Sequence, residues 1–402
     1  MTAAAAPAEQ RPPTRRALGE IARLFLTLGL ISFGGPAAHI AMMEDEVVRR
    51  RRWLTREAFL DYLGATNLIP GPNSTELAIH IGRVRGGWPG LVVAGACFIL
   101  PATLIVAALA AAYVRYGALP AASGVLRGVK PVVIAVVVQA LWGLARSAVR
   151  SRRLAALGAG AVLAAALGVH ELVVLAAAAV VGMLLLLLAR PTGAGWHRSA
   201  AVSAMPMAMP VAMQAAAASG GAAAAGVSLW PLFGVFAKTG ALLFGSGYVL
   251  LAFLRADLVE RLHWLTERQL LDAVAVGQVT PGPLFTTATF IGYVLAGGAG
   301  AATATVGIFL PAFIFVAISG PLVPRLRASP LAGAALDGIN AASLALMAVV
   351  SWQLARAAVV DLPTAGLALA SAVLLLRYRV NSAWLVAGGA ALGLLLWQQP
   401  AG

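Results

Sequence analysis

The 402-residue sequence contains a single cysteine, Cys97, set in an apolar run. A lone thiol excludes a disulfide within the chain and gives a thiolate metal site no second ligand. The five histidines (His39, His80, His170, His197 and His263) show no metal-ligand spacing. A Gly-x-x-x-x-Gly-Lys-Ser/Thr loop is absent, which excludes ATP binding by that device. Neither Gly-x-Ser-x-Gly nor His-Glu-x-x-His occurs. No enzymatic constellation and no cofactor are therefore expected. Charge is also scarce: 11% of residues are charged, against about a quarter in a soluble domain.

What is abundant is apolar surface. Hydrophobic residues make up 60% of the chain and the mean hydropathy is +0.88. Uncharged runs such as Leu154–Val169 and Leu172–Ala189 approach the roughly 20 residues that cross a hydrocarbon core. The expected fold class is an all-α polytopic membrane protein, with the lipid bilayer as its first partner. Lys plus Arg number 29 against 15 Asp plus Glu, a net +14. In a soluble protein that excess would point to nucleic acid. Here the arginines lie between apolar segments, at Arg49–Arg52, Arg83, Arg85, Arg325, Arg327, Arg377 and Arg379, as cytoplasmic membrane faces require. No nucleic-acid partner is expected. Most histidines are expected at the membrane interface, and residues 1–17, rich in Ala, Pro and Arg, read as a cytoplasmic tail.

An internal repeat sets the architecture. A slide of 211 positions lays Trp53-Leu54-Thr55 on Trp264-Leu265-Thr266, Asp61 on Asp272 and Pro70-Gly71-Pro72 on Pro281-Gly282-Pro283. Phe33-Gly34 meets Phe244-Gly245 in the same register, and Glu46 meets Asp257. Further on the offset becomes 210, and Pro101 lies over Pro311 and Gly128 over Gly338. Shared apolar composition does not match Trp, Asp and Pro-Gly-Pro. Two homologous halves are expected, 18–189 and 229–402, each of about six helical segments. The Ala/Met/Gly/Pro-rich linker 190–228 is long enough to cross once more. Basic residues follow the even-numbered segments in the first half and the odd-numbered ones in the second. That phase shift fits inverted repeats, although Arg49–Arg52 disagrees with it.

The two Pro-Gly-Pro triplets fall inside the apolar segments Ala58–Gly82 and Glu267–Gly292. A helix does not run through them undisturbed, and bare backbone amides in hydrocarbon cost several kcal/mol each. Each break is expected to start a new half-helix, with N–H groups free at Asn73, Ser74 and Thr75, and at Leu284, Phe285, Thr286 and Thr287. Helix N-termini bind anions, and the hydroxyls of Ser74, Thr75, Thr286 and Thr287 add donors. The expected site thus comprises Pro70, Gly71, Pro72, Asn73, Ser74, Thr75, Pro281, Gly282, Pro283, Thr286 and Thr287. Gly34 and Gly35, with Gly245 and Ser246, form its other wall. The alternative for each break is a kinked, tightly packed helix without a ligand. Lys238, whose repeat equivalent is Thr27, either counters a dianion or snorkels to the interface. Asp61, Glu76 and Asp272 either carry protons or pair with cations structurally; Lys130 and Asp337 are lesser candidates. Energy for transport would come from an ion gradient or the membrane potential, about 2.3 kcal/mol per charge per 100 mV.

With these residues together, the chain resembles the chromate ion transporter family in its long two-domain form. The resemblance rests on Phe33-Gly34-Gly35-Pro36, Glu46, Trp53-Leu54-Thr55, Asp61 and Pro70-Gly71-Pro72 in the first half. In the second it rests on Lys238-Thr239-Gly240, Phe244-Gly245, Asp257, Trp264-Leu265-Thr266, Asp272, Gln278 and Pro281-Gly282-Pro283. Ser246 departs from the family pattern, where a glycine is usual. The resemblance implies a bacterial inner-membrane protein that exports chromate and confers resistance, with oppositely oriented halves. Chromate is the implied partner, sulfate the alternative because it has the same tetrahedral shape and charge; a homodimer is left open. An intramembrane or lipid-handling enzyme would need clustered His, Asp or Ser near one interface, which the sequence does not show.

Overall fold

The computed structural model describes residues 15–32, 36–66, 69–116, 120–148, 151–189, 227–243, 249–319, 329–378, 380 and 382–396. The expected tail up to residue 14, the linker 190–226 and the glycine breaks Gly34, Gly35, Gly245 and Ser246 lie outside the described residues. Every regular element among those described is a helix. The first half holds α1 (Arg15–Ile31), α2 (Pro36–Glu44), α3 (Arg56–Thr66), α4 (Asn73–Tyr116), α5 (Pro120–Ala148), α6 (Arg152–Ala166) and α7 (Glu171–Ala189). The second holds α8 (Leu229–Leu242), α9 (Leu250–Leu254), α10 (Glu267–Val279), α11 (Thr287–Ser319), α12 (Pro330–Ala358), α13 (Leu362–Tyr378) and α14 (Ser382–Leu396). Among the described residues five stretches are long and apolar enough to cross a bilayer: 73–116, 124–142, 171–188, 284–319 and 330–358.

The repeat is visible in the backbone itself. α2 and α9 each run into a wide π-helical turn, Asp45–Arg50 and Arg255–Arg261. Two residues beyond each turn stands a residue with φ of 52°, Arg52 and His263. Trp53 N–H then returns to Val47 O and Trp264 N–H to Leu258 O. The threonine of each Trp-Leu-Thr starts the next helix: Thr55 accepts from Ala58 N–H, and Thr266 forms a reciprocal cap with Gln269. α4 and α11 both contain a sharp bend, at Gly86–Gly87 and at Ala296–Gly297. The second residue of each bend has positive φ, 58° and 60°, which glycine adopts without strain.

One expectation about local geometry is corrected. Ala58–Gly82 and Glu267–Gly292 were each expected as one interrupted segment; each is a hairpin. The ring centroids of Tyr62 and His80 are 5.4 Å apart, whereas residues 62 and 80 of a straight helix lie about 27 Å apart at roughly 1.5 Å per residue. Pro70-Gly71-Pro72 is therefore the tip at which α3 turns back into the first limb of α4. α10 turns back at Pro281-Gly282-Pro283 through a short 3-10 turn, Leu284–Thr286, into α11. Prolines at both sides of each tip explain the reversal: neither can continue the incoming helix, and the second sits comfortably just ahead of the outgoing one.

The halves are interleaved rather than side by side. α5 lies against α13 and α14, and α12 against α6 and α7, so each half's fourth segment packs on the other half's last pair. Gly128 of α5 meets the backbone of Gly389, and Gly338 of α12 meets that of Ala178, close approaches that a side chain would block. Arg127 and Asp361 join α5 to the start of α13 at 2.5 Å. The Thr364 N–H and hydroxyl, and then Arg127, hold the Asp361 carboxyl below the usual carboxylate range. α4 and α11 cross in the middle with their ends exchanged. Arg83, just before the first bend, donates to Val316 O and Ala317 O at 2.8 and 2.7 Å near the end of α11. Tyr113, near the end of α4, packs at a tilt against Phe290 before the second bend, with centroids 5.1 Å apart.

Candidate functional site

Each hairpin tip is fastened to the other half. Gly71 N–H donates to Leu243 O at 2.7 Å, and Gly282 N–H donates to Ser32 O at 2.9 Å. Ser32 and Leu243 are repeat equivalents that follow α1 and α8, so the two bonds are one bond made twice with the halves exchanged. Gly71 (φ 139°) faces Ala312 of α11, and Gly282 (φ 94°) faces Ala102 of α4. Polar backbone at the end of one element thus satisfies polar backbone at the tip of another, as a low-dielectric interior demands. The second tip, Pro281 through Thr287, is buried throughout; at the first, Pro70 and Asn73 are only partly buried.

The donors differ from those expected. Thr75 N–H is taken by Pro72 O at 2.8 Å, and Thr286 N–H by Pro283 O at 3.0 Å. The Thr286 hydroxyl donates to Pro283 O and the Thr287 hydroxyl to Leu284 O, both at 2.8 Å. These hydroxyls cap their own turn, which leaves their lone pairs outward and removes them as donors. At the first tip Ser74 Oγ lies 3.3 Å from His39 Nδ1, while Thr75 Oγ1 is buried with no hydrogen-bond partner among the described residues. The first tip therefore keeps the stronger donor set.

Most of the histidines were expected at the interface; His39 and His80 are instead buried. His39 of α2 is 1% exposed and bridges Ser74 to Ser32 O, the latter at 3.1 Å. Ser32 O is also the acceptor of the Gly282 N–H, so His39 ties both tips to one carbonyl. His80, one hairpin limb away, is buried against Tyr62. Nothing in the sequence singled out His39: its repeat equivalent is Leu250, and only folding brings it to Ser74, 35 residues on.

The ionisable residues divide sharply. Lys238 of α8 is paired with Asp257, its Nζ 2.8 and 2.6 Å from the two carboxylate oxygens, and Arg261 reaches the same carboxylate at 2.9 Å. Asp272 of α10 is fully buried between Lys130 Nζ at 2.8 Å and the Tyr113 hydroxyl at 2.9 Å, both from the first half. Its equivalent Asp61 is exposed on α3. Glu76 is fully buried beside Gly71, and neither carboxylate oxygen has a hydrogen-bond partner among the described residues. Beside the Lys238 pair opens a cavity of about 510 Å³ lined by His170, Glu171, Arg255, Asp257, Arg261 and Gln353. It is built by both halves, from the α6–α7 connection, the second π-turn and α12.

A family model described as chromate transporter matches residues 19–183 and again 230–394. The chain is 34% identical to the chromate transport protein of Cupriavidus metallidurans over 382 residues, 94% of this chain and 93% of that one. It is 33% identical to the chromate transport protein of Pseudomonas aeruginosa over 360 residues, 88% and 85% of the two chains. Against the probable chromate transport protein of Synechococcus elongatus it is 30% identical over 351 residues, 86% and 87%. No solved structure matches it.

Proposed function

The chain belongs to the chromate transporter family, and we propose that it exports chromate across the bacterial inner membrane as a secondary transporter. The observation that carries this reading is the exchanged pair of bonds, Gly71 N–H to Leu243 O and Gly282 N–H to Ser32 O. Through it, the two helix N-termini that favour an anion are held by opposite halves, so a shift of one half against the other changes both walls of the site together. The proposed binding residues are Pro70, Gly71, Pro72, Asn73, Ser74 and Thr75 with Pro281, Gly282 and Pro283; Thr286 and Thr287 hold the second turn in shape. Lys238 offsets charge from within its pair with Asp257. An inside-negative potential favours the outward step, by about 4.6 kcal/mol per 100 mV for two charges.

We further propose that 18–189 and 229–402 are inverted repeats joined by 190–228. Support comes from the exchanged ends of α4 and α11, where Arg83 meets Val316 and Tyr113 meets Phe290. Tags at Ser228 and at equivalent loops of the two halves read the orientation: equivalent loops should label from opposite sides, and labelling from the same side would refute inversion.

Inside-out vesicles turn export into uptake and test the function directly. Vesicles carrying the chain should accumulate chromate, lose it on collapse of the membrane potential, and show competition if sulfate shares the site. Pro72→Ala, Pro283→Ala and Lys238→Ala should each abolish accumulation with the protein still in the membrane. A Lys238→Ala/Asp257→Asn pair should recover the stability lost in Lys238→Ala, about 1–3 kcal/mol, without recovering transport. Accumulation equal to that of empty-vector vesicles would refute the proposal, and full activity in all the single variants would refute the site.

A further inference from the structure

Glu76 has no structural employment. It is fully buried, and neither oxygen meets a hydrogen-bond donor or a cation among the described residues. It lies one turn into the first limb of α4, with its carboxyl against Gly71 at the hairpin tip. Among the described residues the other buried carboxylates all have a neighbour: Asp257 is held by Lys238 and Arg261, Asp272 by Lys130, and Glu171, at the rim of the cavity, lies 3.5 Å from His170 Nδ1. The repeat equivalent of Glu76 is Thr287, whose hydroxyl only caps its own turn. One acid, in one half, therefore stands unpaired at the place where the transport reading puts an anion. An ionised carboxylate buried without partners is strongly disfavoured, and a dianion beside it would repel it further.

We propose that Glu76 is the proton-binding site that couples the carried oxyanion to a proton. The inference rests on the transport reading and adds its coupling ion. The carboxylate takes a proton from water on the loading side as the dianion reaches the first tip, and returns it to water on the far side as the anion leaves. Only an O–H bond forms and breaks. Because each ligand removes the repulsion felt by the other, proton and anion bind together and cross together. One negative charge then moves in place of two, so the membrane potential still drives the outward step.

The neighbouring titratable groups are few. His80 lies one turn further along the same limb, and His39 of α2 is bonded to Ser74. α3 contributes Tyr62, stacked on His80. Arg83, beyond His80, turns to the carbonyls of Val316 and Ala317. Where α11 meets this limb it brings Ala312, Phe313 and Val316, and Leu243 after α8 brings a carbonyl. The buried acid of α10, Asp272, joins α4 at Tyr113 and is already held by Lys130.

The test uses the purified full chain in liposomes, with a pH-sensitive dye trapped inside and chromate flux followed in parallel. Wild type should move about one proton with each chromate, as a single coupled carboxyl allows. Glu76→Gln, which keeps the size and neutrality of the protonated acid, should still move chromate while its proton flux falls at least about tenfold. Chromate itself takes up a proton near neutrality, so a proton riding on the anion would give wild type and Glu76→Gln the same ratio; that result overturns the proposal. Chromate flux by wild type without protons overturns it as well. Wild type that moves no chromate at all overturns the transport reading, and this proposal with it. If Glu76→Gln is not recovered from the membrane, Glu76→Asp replaces it. Glu76→Asp should keep the co-movement with a displaced pH midpoint, and an unchanged midpoint counts against the assignment.

Discussion

Lys130→Ala is expected to destabilise the protein by about 3–5 kcal/mol, the consequence of leaving a buried carboxylate without its cation. Asp272 is fully buried, and its cation Lys130 and its hydroxyl donor Tyr113 both come from the first half. The loss should appear as a lower aggregation temperature of the detergent-solubilised protein and as less protein in the membrane. Two further variants separate charge from contact. Asp272→Asn/Lys130→Met, which removes both charges, should recover most of the loss, because a neutral pair of similar volume replaces a desolvated ionic one and the Asn oxygen can still accept from Tyr113. Tyr113→Phe should cost about 1 kcal/mol, the value of one hydrogen bond. A Lys130→Ala protein as stable as wild type would mean that Asp272 is not charged in the folded state, and the pair would lose its role in joining the halves.

Gly282→Val is expected to reduce chromate transport about a hundredfold, since displacements of about 1 Å at a binding site have effects of that order. Gly282 has φ of 94°, and a Cβ there would lie 2.7 Å from Ala102 Cβ and 3.2 Å from Gly29 O. A β-branched residue cannot hold that dihedral without strain of about 1–3 kcal/mol, and neither neighbour is a side chain that can swing away. The tip must shift, and with it the bond from Gly282 N–H to Ser32 O. Ser32 O also receives His39, so the disturbance reaches Ser74 at the first tip. Gly71→Ala is the instructive comparison. Its Cβ would meet the flexible carboxylate of Glu76 and, at 3.7 Å, Ala312, so the milder loss is expected there. Equal transport by wild type and Gly282→Val, at equal protein levels, would remove the second tip from the site.

Much of this architecture was legible from residue order alone. The offset of 211 positions gave two homologous halves, and it reappears in the paired π-turns and in φ at Arg52 and His263, while the paired bends repeat at an offset of 210. Local geometry repeats because local sequence repeats. The Pro-Gly-Pro triplets located the backbone breaks, since a missing donor and a ring clash act whatever surrounds them. What the pattern does not encode is the angle after a break: a kinked crossing and a reversal use the same three residues, and contacts across the tip separate them, Tyr62 with His80 at the first and Gly277 with Thr287 at the second. Nor does a repeat say which copy a segment packs against. The exchanges of α5 with α13 and α14, and of Gly71 with Leu243, are long-range choices set by shape. Asymmetric residues were the hardest to weigh. Lys238, Lys130, His39 and Glu76 have no chemical counterpart in the other half, so the duplication was silent about them, and burial alone distinguishes a neutralised pair from an unpaired acid.

The central claim is that the two hairpin tips, each fastened to the other half, enclose the anion. Locating chromium in the protein tests it most directly, by anomalous diffraction from crystals grown with chromate. The account predicts a chromium peak at the tips, with the chromate oxygens around it within about 2.7–3.2 Å of donors such as Thr75 Oγ1 or the first backbone N–H groups beyond the prolines. A peak confined to the cavity of Arg255 and Arg261, with both tips closed in apolar packing, would contradict it.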